Sequence, residues 1–150
     1  MSRKQNLRSF QRSLPMSLLR AREAVMKKFL PSLKEHHLSP QQWRVIRALE
    51  HEDGLELSKL SERCYLLMPS LSRIVQNLES RDLVRREAVA EDQRRSAIYL
   101  TPAGRQLFAL VAPYSVERYD YITRKFGFGK LELLYELLDE LVEKIDDDES

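Results

Sequence analysis

The sequence predicts a mainly α-helical protein with one small β-hairpin. Apolar residues recur at three- and four-residue spacing near both ends of the chain, two brief helical patterns lie close together in its middle, and two segments rich in strand-forming residues follow them. A chain of 150 residues, 43% of them hydrophobic, can bury one proper core but not comfortably two. We therefore expect one domain with appendages.

Two helices are predicted ahead of the middle segment. The apolar spacing indicates an amphipathic helix over residues 14–36, with Pro15 near its start. Residues 39–42, Ser-Pro-Gln-Gln, then combine a capping hydroxyl, a proline for the first turn and a glutamine placed to close a capping box. The helix that they begin should end near Gly54, because glycine accepts the positive φ of a helix end.

The middle segment contains a predicted helix-turn-helix unit. Residues 55–57 form a short extended stretch, and the first helix of the unit is then built on Leu57, Leu60 and Cys64. The second helix is built on Leu71, Ile74, Val75 and Leu78. Residues 65–68 connect the two, and Pro69 starts the second helix. Two short helices joined by such a tight turn are typical of helix-turn-helix proteins.

A hairpin and two further helices complete the predicted architecture. Residues 83–89 and 96–100 are rich in strand formers, and the charged residues 90–95 join them. A new helix begins at residues 101–104 and runs towards Lys125, and Gly127 and Gly129 separate it from a last helix with a leucine stripe. Six helices and a two-stranded wing in this order describe a winged helix-turn-helix protein with long terminal helices.

Two features of this architecture predict contact with DNA. The outward face of the second helix of the unit carries side chains that can hydrogen-bond phosphates or base edges, and no acid interrupts it before Glu79. These side chains are Ser70, Ser72, Arg73, Gln76 and Asn77. The hairpin tip carries Asp92, Arg94 and Arg95. An arginine there suits the negative potential of a narrow minor groove, and Asp92 can hold the side chain of Arg94.

The composition is compatible with DNA binding without establishing it. The net charge is +2, but the first 34 residues carry nine cations against the single acid Glu23, and residues 146–149 are all acidic. The single cysteine, Cys64, excludes an internal disulfide framework and fits a reducing compartment. No run approaches the roughly 18 apolar residues of a membrane span, and no export signal is recognisable. We therefore expect a cytoplasmic protein with no membrane partner.

Several motifs between Leu57 and Gly104 are more specific than these patterns. They are SLSRIVQNLE at residues 70–79, LVRR at 83–86, DQRR at 92–95 and LTPAG at 100–104. In this order they resemble the MarR family of bacterial transcription regulators, and the order of the outer helices agrees. Residues 19–24, 41–44 and 69–71 are most similar to the family's repressors of homoprotocatechuate (hydroxyphenylacetate) degradation. Many members have glycine where this chain has Asp82, a residue that tolerates the left-handed conformation.

The resemblance implies a homodimeric repressor of double-stranded DNA. It assigns residues 1–36 to an N-terminal dimerisation helix, residues 37–104 to a winged helix-turn-helix DNA-binding region and residues 105–150 to C-terminal dimerisation helices, all in one intertwined domain. Apolar residues for such pairing are present at both ends, and they include Leu7, Phe10, Leu14, Leu107, Leu110 and Val111. A two-fold dimer would place its recognition helices about one turn of DNA apart, so the operator should be a pseudo-palindrome.

The resemblance also implies that a small aromatic carboxylate, of the hydroxyphenylacetate type, releases the DNA, and no other cofactor is expected. Arg20 and Arg22 are candidates for binding its carboxylate. The other candidates are the polar residues His36, His37 and Arg44 and the apolar residues Trp43, Tyr65 and Met68. Each also has a plain structural explanation, since an arginine can pair with an acid and a tryptophan can belong to the core.

Four alternatives to this interpretation differ in their support. Cys64 could sense oxidants, but the chain offers no second cysteine to resolve a sulfenic acid. One cluster could be drawn for a metal ion, although its spacing is poor, and it consists of His36, His37, His51, Glu52 and Asp53. Neither a glycine-rich phosphate loop nor a nucleophile–base pair indicates an enzyme. A winged-helix module that binds protein instead of DNA is the remaining alternative.

Overall fold

The fold is that of a computed structural model, which describes residues 7–146 except for the side chain of Gln93. Parts of the two charged chain ends noted above therefore lie outside the described residues, namely Arg3 and Lys4 of the basic end and Asp147, Asp148 and Glu149 of the acidic end. The chain divides into two compact units between Pro113 and Tyr114.

Within residues 7–146, the backbone forms six α-helices, one short 3-10 helix and three β-strands. The first unit contains the 3-10 helix Phe10–Arg12, α1 (Leu14–Glu35), α2 (Pro40–His51), β1 (Leu55–Glu56), α3 (Leu57–Cys64), α4 (Met68–Ser80), β2 (Val84–Val89) and β3 (Asp92–Leu100). Helix α5 (Pro102–Phe126) continues across the division between the units, and α6 (Phe128–Asp146) follows. The prediction of a mainly α-helical protein with a small β wing is confirmed.

The core of the first unit gathers apolar side chains from every one of its α-helices and from the sheet. Its most deeply buried members are Leu33, Val45, Ile46, Leu49, Leu60, Cys64, Leu71, Val75, Leu78, Ile98 and Val111. Ile74, predicted to face the core with the other apolar residues of α4, is only half-buried. The fully buried side chains of α4 are therefore Leu71, Val75 and Leu78.

The predicted capping box begins α2. The Gln42 N–H donates to Ser39 Oγ at 3.1 Å, and the Ser39 N–H donates to Gln42 Oε1 at 2.9 Å. These bonds satisfy two of the amides that a helix start leaves without partners. Gly54, just beyond the end of α2, has the expected positive φ of 74°.

Two left-handed residues set the bounds of α4. Tyr65 ends α3 with φ 54°. Helix α4 then begins at Met68, one residue before the predicted start. Asp82 has φ 58° at the position where many MarR proteins have glycine, and the Leu83 N–H then donates to the Leu78 carbonyl at 2.9 Å. The expectation that aspartate can take the left-handed conformation at this turn is confirmed.

The sheet has three antiparallel strands in the order β1-β3-β2, whereas the sequence predicted only a two-stranded hairpin. Strand β1 consists of two residues, both of which pair with β3. A strand this short gives no periodicity signal in the sequence. The predicted loop over residues 90–95 was also too long, because β3 already begins at Asp92. The pairing jumps from Ala88↔Ser96 to Val89↔Asp92, so residues 93–95 form a bulge without partners on β2.

The break between the last two helices is narrower than predicted. Gly127 has φ 109°, a conformation that favours glycine, and it separates α5 from α6. Gly129 was predicted to contribute to the break but lies inside α6, and it is not among the residues with positive φ.

Candidate nucleic-acid interface

Helix α4 presents a polar face without acids in its first turn. Leu71, Val75 and Leu78 are buried and fix the orientation of the helix. Of the five predicted DNA-contacting residues, Arg73, Gln76 and Asn77 are exposed, and Ser70 and Ser72 are half-buried. The structure thus brings all five onto or beside one accessible surface.

Side-chain bonds fix the C-terminal part of this face. Gln42, the capping residue of α2, donates its Nε2 to Asn77 Oδ1 at 2.8 Å. The NH₂ group of Asn77 therefore remains as a donor for an outside acceptor. Glu79, the first acid of the helix, accepts from Arg86 Nη2 at 3.0 Å, and this ion pair offsets its negative charge.

Among the arginines that the structure describes on the wing, Arg94 is the most exposed. The Arg94 N–H donates to Asp92 Oδ1 at 2.9 Å, and its side chain is 95% exposed, with Nε 4.0 Å from the same carboxylate oxygen. Because residues 93–95 bulge from the strand, the backbone directs Arg94 away from the sheet. Asp92 and Arg94 are thus brought together as the sequence predicted.

Arg95, by contrast, is engaged within the protein. Its Nη2 lies 2.5 Å from Glu56 Oε1 and its Nε 3.2 Å from Glu56 Oε2, in a two-point contact with β1. The hydrogen bond and the charge of Glu56 raise the pKa of the Arg95 guanidinium. Sequence inspection missed Glu56, since nothing local marks a partner 39 residues away.

A second acid that the sequence analysis did not assign to this interface, Asp53, fixes the base of the wing. Its Oδ1 accepts from the Leu100 N–H at 2.9 Å, and its Oδ2 accepts from Arg105 Nη2 at 2.6 Å. The end of β3 and the start of α5 are therefore joined through one carboxylate. The sequence predicts Asp53 at the end of α2 and as a member of the cluster that could be drawn for a metal ion, and it gives no sign of these two contacts.

The predicted effector-binding residues fall into four places in the first unit. Arg20 and Arg22 are exposed on the N-terminal half of α1, where Arg22 lies 3.5 Å from Glu23. His36 and His37 follow the end of α1, and His36 Nδ1 is 2.8 Å from the Ser32 carbonyl. His37 also borders an open groove of about 680 Å³, lined by Leu30, Pro31, Lys34, His37, Leu38 and Ser39.

The other effector candidates lie on α2 and at the helix-turn-helix turn. Trp43 is 8% exposed and stacks on Phe108 with ring centroids 5.4 Å apart. Arg44 donates to the Cys64 carbonyl at 2.9 Å and so lies at the end of α3. Tyr65 and Met68 are exposed on the turn that follows. The structure does not gather all eight candidates into one cavity of the first unit, and their role stays a prediction.

Cys64 is buried between α2 and α3, and its Sγ lies 3.8 Å from the Arg44 carbonyl. Burial raises the pKa of this thiol, which Arg44 offsets only in part. Over residues 7–146 no three His, Cys, Asp or Glu side chains come close enough to share a metal ion. The same part of the chain contains no helix of the length and apolarity needed to cross a membrane.

Comparison with known proteins agrees with this geometry. Residues 36–95 match the family model described as MarR family. The chain is 39% identical to the HTH-type transcriptional regulator FarR of Neisseria gonorrhoeae over 90% of this chain and 92% of that one, and 37% identical to the homoprotocatechuate degradative operon repressor of Escherichia coli over 87% and 88%. It is also similar to the crystal structure of NadR in complex with 4-hydroxyphenylacetate, with a TM-score of 0.77 and 37% identity over 91% of this chain and 97% of that one. These relatives are transcriptional regulators and not enzymes, and the chain belongs to the MarR family of winged helix-turn-helix regulators.

Proposed function

We propose that this protein is a repressor that binds a pseudo-palindromic operator as a homodimer and is released by a small aromatic carboxylate. The observation that carries the proposal is the combination of a polar face on α4 that has no acid in its first turn with a highly exposed arginine, Arg94, on the wing that follows it. Either feature alone occurs on many protein surfaces, whereas together they match the two grooves that a winged helix contacts.

Each DNA-facing residue has a role that its surroundings suggest. Arg73, Gln76 and Asn77 are long or branched donors on the exposed face of α4, suited to base edges in the major groove. Ser70 and Ser72, which are half-buried, suit phosphate contacts closer to the protein. On the wing, Arg94 would enter the minor groove, Asp92 would hold the bulge in shape, and Arg95 would position the wing through Glu56.

The proposed dimer is supported by apolar surface that each unit leaves uncovered. No residue of α6 is buried. In its predicted apolar stripe, Leu131, Leu138 and Leu141 are half-buried and Leu134 and Ile145 are exposed. Further exposed apolar residues of α6 are Phe128, Leu133, Leu137 and Val142. In the first unit, Leu7, Phe10, Leu14, Leu18 and Leu19 are exposed around the start of α1. Apolar area of this extent on a regulator indicates a partner, and a second copy is the one that a palindromic site requires.

The proposed effector follows from the relatives together with the chemistry of the candidate residues. NadR is described in complex with 4-hydroxyphenylacetate, and the Escherichia coli relative represses a homoprotocatechuate operon. In this chain an aromatic acid would need a cation for its carboxylate and an apolar wall for its ring. Arg20 and Arg22 offer the first, Trp43 offers the second, and His36, His37 and Arg44 are polar neighbours for a ring hydroxyl.

Release of DNA requires the acid to bind one arrangement of the dimer more tightly than the other. A ligand with equal affinity for the DNA-bound and DNA-free arrangements would shift nothing, however tightly it bound. We propose that the acid favours a spacing of the two recognition helices that does not match successive major grooves. The regulator would act in the cytoplasm, where its operator lies.

The experiment that tests this proposal is a mobility shift with DNA from upstream of the protein's own gene. Wild type, Arg73→Ala and Arg94→Ala are titrated over a range of salt concentrations, with hydroxylated phenylacetates, benzoates and cinnamates added in turn. Each lost phosphate contact should lower the salt slope by about 0.9, and a lost base contact should cost about 1–3 kcal/mol of discrimination. Arg124→Ala is the matched control, since this exposed arginine lies on α5 and its Nε donates to the Asp120 carbonyl of its own helix.

The outcomes separate the parts of the proposal. A specific shift that one acid releases supports the ligand-responsive repressor and identifies its effector. A specific shift that no acid affects would remove the effector from the proposal and leave the DNA contacts. If Arg73→Ala and Arg94→Ala bind as tightly as Arg124→Ala, the winged domain does not use this face for DNA, and a protein partner takes its place.

A further inference from the structure

Three large apolar side chains are exposed at the turn between α3 and α4. Tyr65 is 85% exposed, Leu67 is 78% exposed and Met68 is 42% exposed. Within residues 37–104 no other large apolar side chain is exposed, because the rest belong to the core or lie half-buried beside it. The exposure is therefore a local feature of this turn.

Two backbone hydrogen bonds and one from the Ser61 hydroxyl hold the turn in this shape. The Leu66 N–H donates to the Ser61 carbonyl at 3.2 Å, and the Ser61 hydroxyl donates to the Leu66 carbonyl at 2.5 Å. Leu66 is thereby turned partly inward, and the next residue, Leu67, points to solvent as the N-cap of α4. The Leu71 N–H donates to the Leu67 carbonyl at 2.9 Å, so Leu67 is fixed to the helix that it precedes.

The position of these residues indicates what covers them. In a helix-turn-helix protein the N-terminal residues of the recognition helix contact base edges in the major groove. Leu67 and Met68 are at that end of α4, as its N-cap and its first residue, and no acid in the first turn repels a phosphate. Side chains of leucine and methionine have almost no hydrogen-bonding capacity, so their contribution in the groove must be an apolar contact.

One apolar group projects into the major groove of B-DNA, the 5-methyl of thymine. We propose that Leu67 and Met68 determine operator specificity by packing against thymine methyl groups at the outer or inner edge of each half-site. This inference rests on the proposed function, since it requires α4 to enter the major groove. It assigns Met68 to the DNA and removes it from the set of effector contacts.

The test replaces operator thymines one at a time with deoxyuridine, which lacks only the 5-methyl group and still pairs with adenine. Fluorescence anisotropy then gives Kd for wild type, Leu67→Ala and Met68→Ala on each duplex. For wild type, we expect Kd to rise about fourfold for each methyl removed from a contacted position, and about 16-fold when both half-sites are changed, from the burial of one methyl-sized group. In Leu67→Ala or Met68→Ala this difference between thymine and deoxyuridine should disappear.

Arg94→Ala serves as the matched control. Its loss should weaken binding to the thymine and deoxyuridine duplexes by the same factor, because its proposed contact is in the other groove. Both alanine variants replace exposed side chains, and their thermal unfolding is compared with that of wild type to confirm the fold.

Two results would overturn the inference and leave the proposed function intact. One is a wild-type protein that binds its operator specifically but is indifferent to deoxyuridine at every position. The other is a deoxyuridine penalty that persists undiminished in both variants, since DNA shape or another residue would then account for it. Failure to bind the unmodified operator would instead contradict the proposed function, and this inference would fall with it.

Discussion

Gly104 is the position where a single methyl group should do most damage to the wing. It lies in the first turn of α5, and a Cβ added to it would be 2.1 Å from the Leu83 carbonyl oxygen and 3.2 Å from Leu100 Cδ2. Leu83 immediately precedes β2, and its carbonyl also accepts from the Thr101 N–H at 3.1 Å. The backbone at the start of α5 is therefore in contact at Gly104 with the backbone of Leu83, just before β2.

The cost of Gly104→Ala can be worked out from these distances. Real Cβ atoms almost never approach closer than 3.0 Å, so the Leu83 carbonyl and α5 must separate by about 1 Å. Overpacking of this kind costs about 1–3 kcal/mol, and weakening the bonds that Thr101 donates to Leu83 and Asp82 adds about 1 kcal/mol. The higher helix propensity of alanine returns about 1 kcal/mol. A net loss of about 1–3 kcal/mol should lower Tm by about 2–12 °C.

Thermal unfolding followed by circular dichroism checks this prediction, at one fixed protein concentration because dimerisation shifts Tm. Gly129→Ala is the control, since its added Cβ would meet no atom within 4 Å and its backbone is helical. This control should gain about 0.5–1 kcal/mol from helix propensity. A Tm for Gly104→Ala equal to or above that of wild type would show that the contact with Leu83 does not restrict this position.

Three further predictions concern single residues. Asp82→Gly should raise the free energy of unfolding by about 0.5 kcal/mol in denaturant titration, since φ is 58° there, whereas a drop would mean that the aspartate side chain itself stabilises the turn. Arg94→Ala should lower the salt slope of DNA binding while Arg95→Ala leaves it unchanged, because Arg95 is already paired with Glu56; equal effects of the two would contradict this division. Cys64 should react with a thiol reagent at pH 7.5 far more slowly in the native than in the urea-unfolded protein, because burial raises its pKa. Because the thiol ionises at lower pH in the unfolded protein than in the folded one, the free energy of unfolding should begin to fall as pH rises past the pKa of the unfolded thiol. Weaker operator binding after peroxide treatment would argue against an inert thiol.

Features governed by neighbouring residues were predictable from the sequence. The capping box of Ser39 and Gln42 and the left-handed turn at Asp82 depend on contacts within a few residues, so their residue types suffice to predict them. The bounds of α1 and α2 follow from apolar spacing for the same reason. The outward face of α4 also follows, because burial of three residues fixes the direction of the others.

Features that depend on distant residues were missed or wrong. The pairing of β1 with β3 joins Leu55 to Ile98, and the ion pair of Glu56 and Arg95 depends on that same alignment. Neither has a local signal, since a two-residue strand shows no periodicity. The hairpin loop was predicted too long because residues 93–95 look like a charged turn, whereas they are a bulge inside β3.

The candidate effector residues and the DNA face are joined by a short path within the first unit. Arg81, at the end of α4, donates to the carbonyls of His37 at 2.8 Å and His36 at 3.3 Å, and Gln42 donates to Asn77 at 2.8 Å. Hydrogen bonds from a charged donor are worth about 1.5–3 kcal/mol, so separating α4 from the segment between α1 and α2 would be expensive. If a ligand displaces His36 and His37, moving α4 together with them therefore costs less free energy than breaking the hydrogen bonds that join α4 to them. This is a physical reason for an acid bound near the end of α1 to change where the recognition helix points, without itself touching the DNA.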